Sequence, residues 1–598
     1  MVLAVFDARI YRAAFVPLLL VLVIVGFSLT SRPAPLGSTL APDAFDGSRA
    51  FAELKSLASR FPDRRPGGSG DAALASYVAA TLRGLGGSAG GGFLVSTSTT
   101  SAQTIDGRRT LESVVAQRPG STGLEPIAIV AHRDAARPGS QAELSGTAAL
   151  LELARVFAHS ETRRSIVIVS TSGGSGGYAG ASSFAANLSQ PLDATIVLGD
   201  VAGSVARKPF VLPFASGPAT APALLSRTLS GAISQEVGVN AGAPSASASL
   251  AHLVFPLATG EEAPLDSAGV PAVLVQVSGE RGPSPSEGVS EVRLANFGRS
   301  VLSAIYALDE GPEIPGGSEA GMPIGHKTLP AWAVRLLVLA LLLPPLVTCV
   351  DALARLRRRR EPVVRWVVWT LTCALPLLAC TLFSILLGLL GVIAAPGGAL
   401  SSVALSADGS ARGAAAATAL VLVLAMLSWP ALIRRLALDA HPTTDGAGLG
   451  VMLVLLAVSL LVWLVNPYAC LLLVPALHLW LIACSPELRR GPLAFVSILA
   501  SLLPFALLLV VYVRELGLGP GGLAESAVLL AAGGQVGFFA ALEWSVALGC
   551  LAAVLLLARP RVGIGAGGEE DWMEISTRGP LSYAGPGSLG GTKSALRR

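Results

Sequence analysis

The sequence predicts two structural classes in one chain: an α/β domain with a mostly parallel sheet flanked by helices, and an α-helical polytopic membrane domain. The 598 residues are 52% hydrophobic and only 14% charged, with a mean hydropathy of +0.64, whereas soluble domains carry about 25% charged residues. Between residues 40 and 310, charges, Pro and Gly interrupt every apolar run before it reaches the ~18 residues of a span. From Trp332 onward, long apolar runs recur.

An apolar run at Ala14–Leu29 follows Arg9 and Arg12 near the N terminus. It lacks a small-x-small cleavage site, so we expect an uncleaved anchor, with a signal peptide as the alternative. The predicted segments are 1–39, a cytoplasmic N terminus and transmembrane anchor; 40–310, an extracytoplasmic domain; 311–561, a seven-span membrane domain; and 562–598, a disordered cytoplasmic tail rich in Gly, Ser and Pro.

The arginines predict the orientation of the spans. The seven apolar runs after the outer domain are 332–350, 366–393, 414–433, 449–466, 469–484, 492–513 and 536–558. Arginines follow the first, third, fifth and seventh runs, and the alternate loops are poor in basic residues. The positive-inside rule then predicts eight spans in total, with both termini cytoplasmic and residues 40–310 outside. The bias toward Ala, Gly, Leu and Arg suggests a GC-rich bacterial genome, hence a bacterial plasma membrane.

Composition also excludes some functions. The net charge is only +4, and no basic stripe with interleaved aromatics appears, so we expect no nucleic-acid partner. All six cysteines lie in or beside the apolar runs, so the outer domain does not depend on disulfides. Runs 366–393 and 449–484 contain no deeply placed acidic residue, which argues against a proton-coupled transporter. We interpret the prolines within the spans as kinks.

Strands and helices alternate along the outer domain. Helices are predicted at 51–61, 71–85, 144–158 and 181–188, and strands at 127–130, 166–170, 195–198 and 272–277. This alternation favours a parallel sheet covered on both faces. Ligands bind beyond the carboxyl ends of such strands, where His132, Ser175 and Asp200 fall.

Five short motifs occur in order along this domain. They are the Arg-Pro-x-Gly-Ser-like turn at 65–69, Ala-His-x-Asp at 131–134, Ser-Gly-Thr-Ala-Ala-Leu-Leu-Glu-Leu-Ala-Arg at 145–155, Leu-Gly-Asp-Val-Ala-Gly at 198–203 and Ala-Gly-Val-Pro-Ala at 268–272. Over roughly residues 50–290 the chain resembles metallopeptidase family 28, the co-catalytic zinc aminopeptidases and carboxypeptidases. The resemblance implies an exopeptidase fold with two zinc ions, a bridging carboxylate and a glutamate base.

The resemblance places only part of that chemistry on this sequence. His132 and Asp200 match metal ligands, and Asp134 matches the residue that orients the first loop. The bridging Asp falls on Ala142, beside Glu143; the base and the next ligand fall on Gly174 and Ser175; the final His falls on Glu262. Two protein ligands hold zinc weakly, so we expect no cofactor, or zinc at partial occupancy on His132, Asp200 and Glu262. With Gly174 at the base position, we expect no catalytic residue. Asp134, Glu143 and Ser175 would line the cleft.

Other interpretations of these residues stay open. His132 is equally explained as a hydrogen-bonded histidine at a strand end, and Glu261–Glu262 as a solvated loop rather than a ligand pair. The run Gly173–Gly177 also fits the nucleophile elbow G-x-S-x-G, which with Asp200 and His252 would make a serine hydrolase.

Three functional hypotheses follow. The first is a non-catalytic binding or scaffold subunit whose old cleft binds a peptide terminus or another membrane or extracytoplasmic protein, with membrane lipid around its spans. The layout, though not the motifs, is similar to the attachment subunit of the eukaryotic glycosylphosphatidylinositol transamidase. The second is a membrane-bound zinc aminopeptidase using an altered site of His132, Glu143, Asp200 and Glu262. The third is a transporter with an outer receptor domain.

Overall fold

The computed structural model describes residues 5–85, 92–257, 259–316, 320–398, 405, 410–436, 438, 445–485 and 492–558. Residues Met1–Leu557 form one compact unit. The tail 562–598, predicted to be disordered, lies outside the described residues.

The described elements are ten strands and twenty α-helices, with short 3-10 turns between some of them. The strands are β1 (Thr30–Ser31), β2 (Leu94–Thr104), β3 (Gly107–Arg118), β4 (Ile127–His132), β5 (Ile166–Thr171), β6 (Ala194–Leu198), β7 (Val211–Leu212), β8 (Ala272–Val275), β9 (Met322–Ile324) and β10 (Lys327–Leu329). The helices outside the later apolar region are α1 (Ala8–Ala13), α2 (Val16–Phe27), α3 (Gly47–Arg60), α4 (Ser69–Gly84), α5 (Ser145–His159), α6 (Ala179–Ala186), α7 (Ala223–Val237), α8 (Ala246–Val254), α9 (Glu262–Ser267) and α10 (Glu291–Glu310). The remaining helices are α11 (Ala331–Arg358), α12 (Val363–Leu389), α13 (Ser410–Arg435), α14 (Asp445–Val465), α15 (Pro467–Cys470), α16 (Val474–Ala483), α17 (Pro492–Ser501), α18 (Leu503–Leu516), α19 (Pro520–Ala532) and α20 (Phe538–Ala558).

The outer domain is built on a seven-stranded sheet of order β2-β3-β5-β4-β6-β8-β7. The four central strands β5, β4, β6 and β8 run parallel, as predicted. The edges differ, because β2, β3 and β7 pair antiparallel to their neighbours. The predicted mostly parallel sheet is therefore mixed, and the long β2–β3 hairpin supplies one antiparallel edge.

Helices cover both faces of this sheet, as the buried strand sequences predict. In β4, Ile127, Ile129 and Ala131 join the core formed with α3, α4, α5 and α10. The alternate residues Ala128 and Val130 join a second core on the opposite face. Two buried faces explain why the central strands are continuous apolar runs, and each fully buried Ile or Val contributes roughly 1.5–3 kcal/mol.

Seven helical segments among the described residues are long and apolar enough to cross a membrane. They are Ala8–Phe27, Ala331–Arg358, Val363–Leu389, Ser410–Arg435, Gly446–Val465, Pro492–Leu516 and Phe538–Ala558. The eighth predicted span, 469–484, falls on the shorter apolar segment Pro467–Ala483. The chain therefore has the helices of a membrane protein, and the total of eight crossings stays a prediction.

Proline kinks in these helices are bonded to neighbouring helices. Pro345 has no N–H for the carbonyl of Leu341, one turn earlier in α11. His478 satisfies that carbonyl instead, with its Nε2 2.9 Å from Leu341 O. Its other ring nitrogen, Nδ1, is 2.7 Å from the hydroxyl of Tyr11 in the N-terminal helix. His478 therefore bonds to two neighbouring helices, the N-terminal helix and α11.

The kink in α12 is bonded in the same way. Pro376 leaves the carbonyl of Thr372 without its helical N–H partner, and the indole Nε1 of Trp429 in α13 donates to it at 3.1 Å. Both prolines therefore tie helices together through freed carbonyls, which fits kinks in a fixed bundle.

The outer domain is docked onto the ends of the membrane helices. Asn466 Nδ2, between α14 and α15, donates to the carbonyls of Leu253 (2.9 Å) and Val254 (3.2 Å) at the end of α8. Tyr512 of α18 donates its hydroxyl proton to Phe255 O at 2.5 Å. A small sheet, β1-β10-β9, joins the segment that leaves α2 to the segment that enters α11.

Candidate functional site

The predicted site residues lie at the carboxyl ends of β4, β5 and β6. His132 ends β4 directly opposite Thr171, the last residue of β5, and the glycine-rich run follows Thr171. The 3-10 turn Ala142–Leu144 and helix α5 close one side of this edge, where Thr147 Oγ1 donates to His132 O at 2.9 Å. Parallel pairing thus gathers residues that are up to seventy positions apart in the chain.

Asp134 holds the glycine-rich turn. Its buried carboxylate accepts hydrogen bonds from Gly174 N at 3.0 Å and from both the backbone N–H (3.0 Å) and the hydroxyl of Ser175. Gly173 and Gly177 have φ of 89° and 87°, which favours glycine. Asp134 therefore orients two segments: the loop after β4 to which it belongs, and the glycine-rich run after β5.

His132 and Asp134 interact as a charged pair. His132 Nδ1 is 3.1 Å from Asp134 O and 3.6 Å from its Oδ1. Burial acts to lower the pKa of His132, but Asp134, with smaller contributions from Glu261 and Glu143, raises it to about 9. Burial likewise acts to raise the pKa of Asp134, and its bonds to His132 and Ser175 hold it at about 2. Asp134 thus favours the protonated form of the His132 imidazole.

Gly174, where the resemblance predicts the position of the base, has no room for a side chain. A Cβ built there would lie 2.3 Å from both Cβ and Cγ of His132, well below the 3.0 Å that real Cβ contacts respect. The imidazole of His132 therefore packs where the base side chain would begin. A glutamate at this position would require His132 or the loop to move.

Asp200 directs its carboxylate to its own loop. Oδ1 accepts hydrogen bonds from Gly203 N (2.6 Å) and Ala202 N (3.1 Å), and Ser145 Oγ lies 3.4 Å away. Burial raises the pKa of Asp200 to about 6, and the Gly203 and Ala202 N–H groups limit the rise. Its second oxygen, Oδ2, has no hydrogen-bond partner among the described residues.

Glu261 and Glu262 are buried, each 1% exposed, so the prediction of a solvated loop is wrong. They begin helix α9 beneath the ends of β5 and β8, and Glu261 Oε1 accepts from Thr171 Oγ1 at 2.6 Å. Burial raises the pKa of Glu261 to about 7, against the opposing charge of His132. Burial also raises the pKa of Glu262 well above its ordinary value. Nothing in the local sequence pattern distinguished this pair from surface carboxylates.

Glu143 lies on the opposite side of His132. It is half-buried in the turn before α5, and burial raises its pKa to about 7 although His132 and Arg64 favour the charged form. We call His132, Glu143, Gly174, Asp200 and Glu261 the cleft floor. Several of its carboxylates have one oxygen without a partner among the described residues: Glu143 Oε2, Asp200 Oδ2 and Glu261 Oε2.

The serine hydrolase triad is not assembled. The Ser175 hydroxyl donates to Asp134, and His252 Nε2 pairs with Glu280 at 2.9 Å. The His252 ring stacks on Phe214 with centroids 3.6 Å apart, while Asp200 bonds to its own loop. Each of the three residues thus has a different partner.

Two buried arginines, not predicted from the sequence, support the site from behind. Arg133 is 2.8 Å from Asp71 and donates to the carbonyls of Ser170 and Thr171 in β5. Arg64 donates to three carbonyl oxygens, those of Arg133 (3.1 Å), Phe61 and Ser140. We call Arg64, Asp71 and Arg133 the arginine frame. Asp71 lies in the first turn of α4 and accepts a hydrogen bond from Gly67 N.

A loop from the membrane half covers the glycine-rich turn. A Cβ at Gly177 would lie 2.5 Å from Pro396, and one at Gly398 would lie 2.7 Å from the ring of Tyr178. Tyr178 is buried and adopts φ of 52°, a left-handed conformation that is rare outside glycine. Around this contact an apolar cluster joins both halves; it includes Ala136, Ala251, Leu257, Ile393, Ala395, Leu516 and Leu529.

The candidate ligands each have other contacts within the protein. No three His, Cys, Asp or Glu side chains within the described ranges are grouped so as to hold a metal ion. His132 packs on Gly174, Asp200 caps its loop, and the Oε2 of Glu262 folds back toward Gly260, where a Cβ would meet it at 2.1 Å.

The family model described as Peptidase family M28 matches residues 113–249. The chain carries an M28 peptidase-like domain. This stretch runs from β3 into α8 and includes His132, Glu143, Gly174 and Asp200, but not Glu262. No curated protein matches the chain.

Among solved structures, an aminopeptidase from Aneurinibacillus sp. strain AM-1 aligns at 13% identity and a TM-score of 0.36, covering 46% of this chain and 97% of its own. The zinc aminopeptidase of Bacillus subtilis aligns at 13% identity and a TM-score of 0.34, covering 44% of this chain and 95% of its own. The glutaminyl cyclase of Porphyromonas gingivalis aligns at 18% identity and a TM-score of 0.33, covering 45% of this chain and 100% of its own.

Proposed function

We propose that the chain is an integral membrane protein whose peptidase-like domain is a non-catalytic binding or scaffold unit. The observation that carries the proposal is the packing of His132 against Gly174. This packing leaves no space for a glutamate base at position 174. His132 is instead hydrogen-bonded to Asp134. Loss of a general base alone costs typically 10²–10⁴-fold in rate.

The cover over the glycine-rich turn supports the same proposal. Pro396 and Gly398 contact Gly177 and Tyr178, at the strand ends where a peptide would enter. A substrate would have to displace this loop before it reached His132. A scaffold has no such requirement, because its partner can bind elsewhere on the outer domain or along the spans.

We propose further that the protein lies in a bacterial plasma membrane with residues 40–310 outside and both termini cytoplasmic. An even number of crossings is needed, and the short apolar segment Pro467–Ala483 would supply the eighth. The partner would be another membrane or extracytoplasmic protein, or a peptide terminus. The similarity of layout to the transamidase attachment subunit supports a scaffold role. Reporter fusions after residues 360, 398 and 598 test the topology. The two ends of α12 are predicted to lie on opposite sides of the membrane, so fusions after 360 and 598 should report the cytoplasm and the fusion after 398 the outside.

Metal content decides between this proposal and a surviving zinc aminopeptidase. Purified full-length protein, loaded with zinc and then desalted, should retain well under one zinc per chain and release no amino acid from peptides in a chelator-sensitive way. Retention of two zinc ions, abolished in His132→Ala but kept in His159→Ala, would overturn it. His159 is a suitable control because it is exposed at the end of α5. Crosslinking in native membranes, followed by purification, then identifies the partner.

A further inference from the structure

A second cavity lies away from the cleft floor, where the outer domain meets the small sheet β1-β10-β9. Its walls include Thr328 from that sheet and Arg32 directly after it. Ala223 and Ser226 of α7 and Ser249 of α8 complete them. The cavity volume is about 50 Å³. Since one water needs roughly 10–15 Å³ of such space, the cavity has room for several waters or for one tetrahedral oxyanion.

The electrostatics of this cavity favour an anion. Arg32 is the one charged side chain among its lining residues, and no lining residue is acidic. Helix α7 presents its first turn, whose N-cap residue Pro222 offers no side-chain cap. Helix α8 presents its N-terminal region through Pro244 and Ser249. Two helix N-termini and a guanidinium thus contribute positive potential to one small space.

A buried hydroxyl points independently to a polar ligand. Ser249 is 2% exposed and lines the cavity. Its side chain makes no hydrogen bond among the described residues, whereas the neighbouring Ser245 caps α8 by accepting from Ala248 N at 3.0 Å. Buried hydroxyls are usually hydrogen-bonded, so Ser249 is a donor available to a bound group.

The cavity also lies close to the ends of two apolar helical segments that are long enough to cross a membrane, Ala8–Phe27 and Ala331–Arg358. Thr328 is only three residues before Ala331, where the apolar helix α11 begins, and so lies no more than about 10 Å along the chain from it. Arg32 directly follows β1, the strand that comes after α2, and its backbone N–H donates to His326 O at 3.1 Å. The side chains that form the cavity floor are therefore near the depth of lipid headgroups.

We propose that this cavity is a binding site for a phosphate group, supplied by the headgroup of a phospholipid in the adjacent leaflet. Arg32 and the first-turn N–H groups of α7 neutralise the phosphate, and Ser249 donates a hydrogen bond to it. The apolar walls, Pro213 and Phe214, contact the glycerol portion. This site does not depend on the scaffold role of the cleft.

The test uses delipidated full-length protein in maltoside detergent. The probes are dihexanoyl phosphatidic acid below its micelle concentration, dihexanoylglycerol as the same lipid without phosphate, and inorganic phosphate. Binding is measured as the concentration dependence of the thermal unfolding midpoint, since a ligand of the folded state raises it. Wild type should respond to the phosphatidic acid and not to dihexanoylglycerol.

Two variants disrupt the site by different routes. Arg32→Gln removes the charge and should weaken apparent affinity about tenfold or more, as expected for a charge-assisted bond. Ala243→Leu fills the mouth from an exposed, lining position and leaves the charge unchanged. Arg83→Gln removes an equal charge from an exposed position at the end of α4 and should behave as wild type.

The outcomes separate the possible sources of the phosphate. Weakening in Arg32→Gln and Ala243→Leu, with Arg83→Gln unaffected, supports the lipid site. A response to inorganic phosphate alone, with the same dependence on the variants, keeps the phosphate chemistry and overturns the lipid source. Equal responses in Arg32→Gln and Arg83→Gln, or no response in wild type, overturn the site.

Discussion

The arginine frame and the cleft floor lie side by side at one edge of the sheet, yet they differ in how completely their polar groups are hydrogen-bonded. Every guanidinium nitrogen of Arg64 and Arg133 donates a hydrogen bond. On the floor, Glu143 and Glu261 each keep an oxygen without a partner, and burial raises the pKa of both to about 7. The groups that shape the backbone of a cleft are thus separable from those that would do chemistry in it.

The largest effect is expected from the frame. Arg133→Met removes the positive partner of a buried ion pair, leaves the Asp71 carboxylate without its counter-charge and takes one donor from each of two β5 carbonyls, which should lower the free energy of unfolding by about 3–5 kcal/mol. Thermal unfolding of the purified full chain measures this, with Arg83→Gln as the exposed control. If Arg133→Met lowers the free energy of unfolding by less than about 1 kcal/mol, the arginine frame is not the main stabilising element of this edge.

The packing of His132 on Gly174 gives the second effect. Gly174→Ala should cost about 1–3 kcal/mol through overpacking, while Gly123→Ala, where a Cβ would meet nothing within 4 Å, should be near neutral. In the double variant His132→Ala/Gly174→Ala the cost of the alanine should largely vanish, because its neighbour is gone. Additive costs in this cycle would mean that the two residues do not compete for space.

The floor should also make stability depend on pH. Burial raises the pKa of Glu261 from its ordinary value to about 7, so the folded state binds its proton more tightly than the unfolded state does. That stabilisation is complete below pH ~4.5 and is lost as the pH rises through 7, by at most on the order of 2–3 kcal/mol. Glu261→Gln should make the unfolding midpoint depend less steeply on pH across this window, with Glu143 and Asp200 supplying the dependence that remains.

Exposed Glu161 provides the matched control for that experiment. Glu161→Gln should leave the pH profile of the unfolding midpoint as in wild type. If both variants share the wild-type slope between pH 4.5 and 7, Glu261 is not the group that titrates.

The smallest effect is expected at Asp200. An asparagine oxygen can still accept from Gly203 N and Ala202 N, so Asp200→Asn should change the free energy of unfolding by less than about 1 kcal/mol at pH 7. In a metal site the same change would remove a ligand. A large loss of stability in Asp200→Asn that depends on zinc would therefore show that Asp200 is a metal ligand.

The sequence predicted the framework of the outer domain well. The helix 144–158 is found at Ser145–His159 and the strand 195–198 at Ala194–Leu198, because buried strands and amphipathic helices have distinct periodicities. The gathering of His132, Ser175 and Asp200 at strand ends followed from parallel pairing of the central strands. The antiparallel edges were not predicted, since polar edge strands such as β2 carry no strong pattern.

Side-chain direction was not predictable in the same way. Whether Glu261 faces solvent or His132 depends on how α9 is seated under β5 and β8, which no local pattern specifies. The burial of Arg64 and Arg133 depends on carbonyls from three separate segments. The cover over Tyr178 comes from Pro396 and Gly398, more than two hundred residues later in the chain.

That distance along the chain has a consequence for biosynthesis. The outer domain, which ends near residue 310, leaves the ribosome well before the loop that includes Ala395 and before α18 and α19, whose residues shield Ala136, Ala251 and Leu257. Until the later helices insert, these apolar residues face water, and a fragment that stops at residue 310 keeps them exposed. Such a fragment should self-associate, and in the cell the newly made domain should need a chaperone until the rest of the chain arrives.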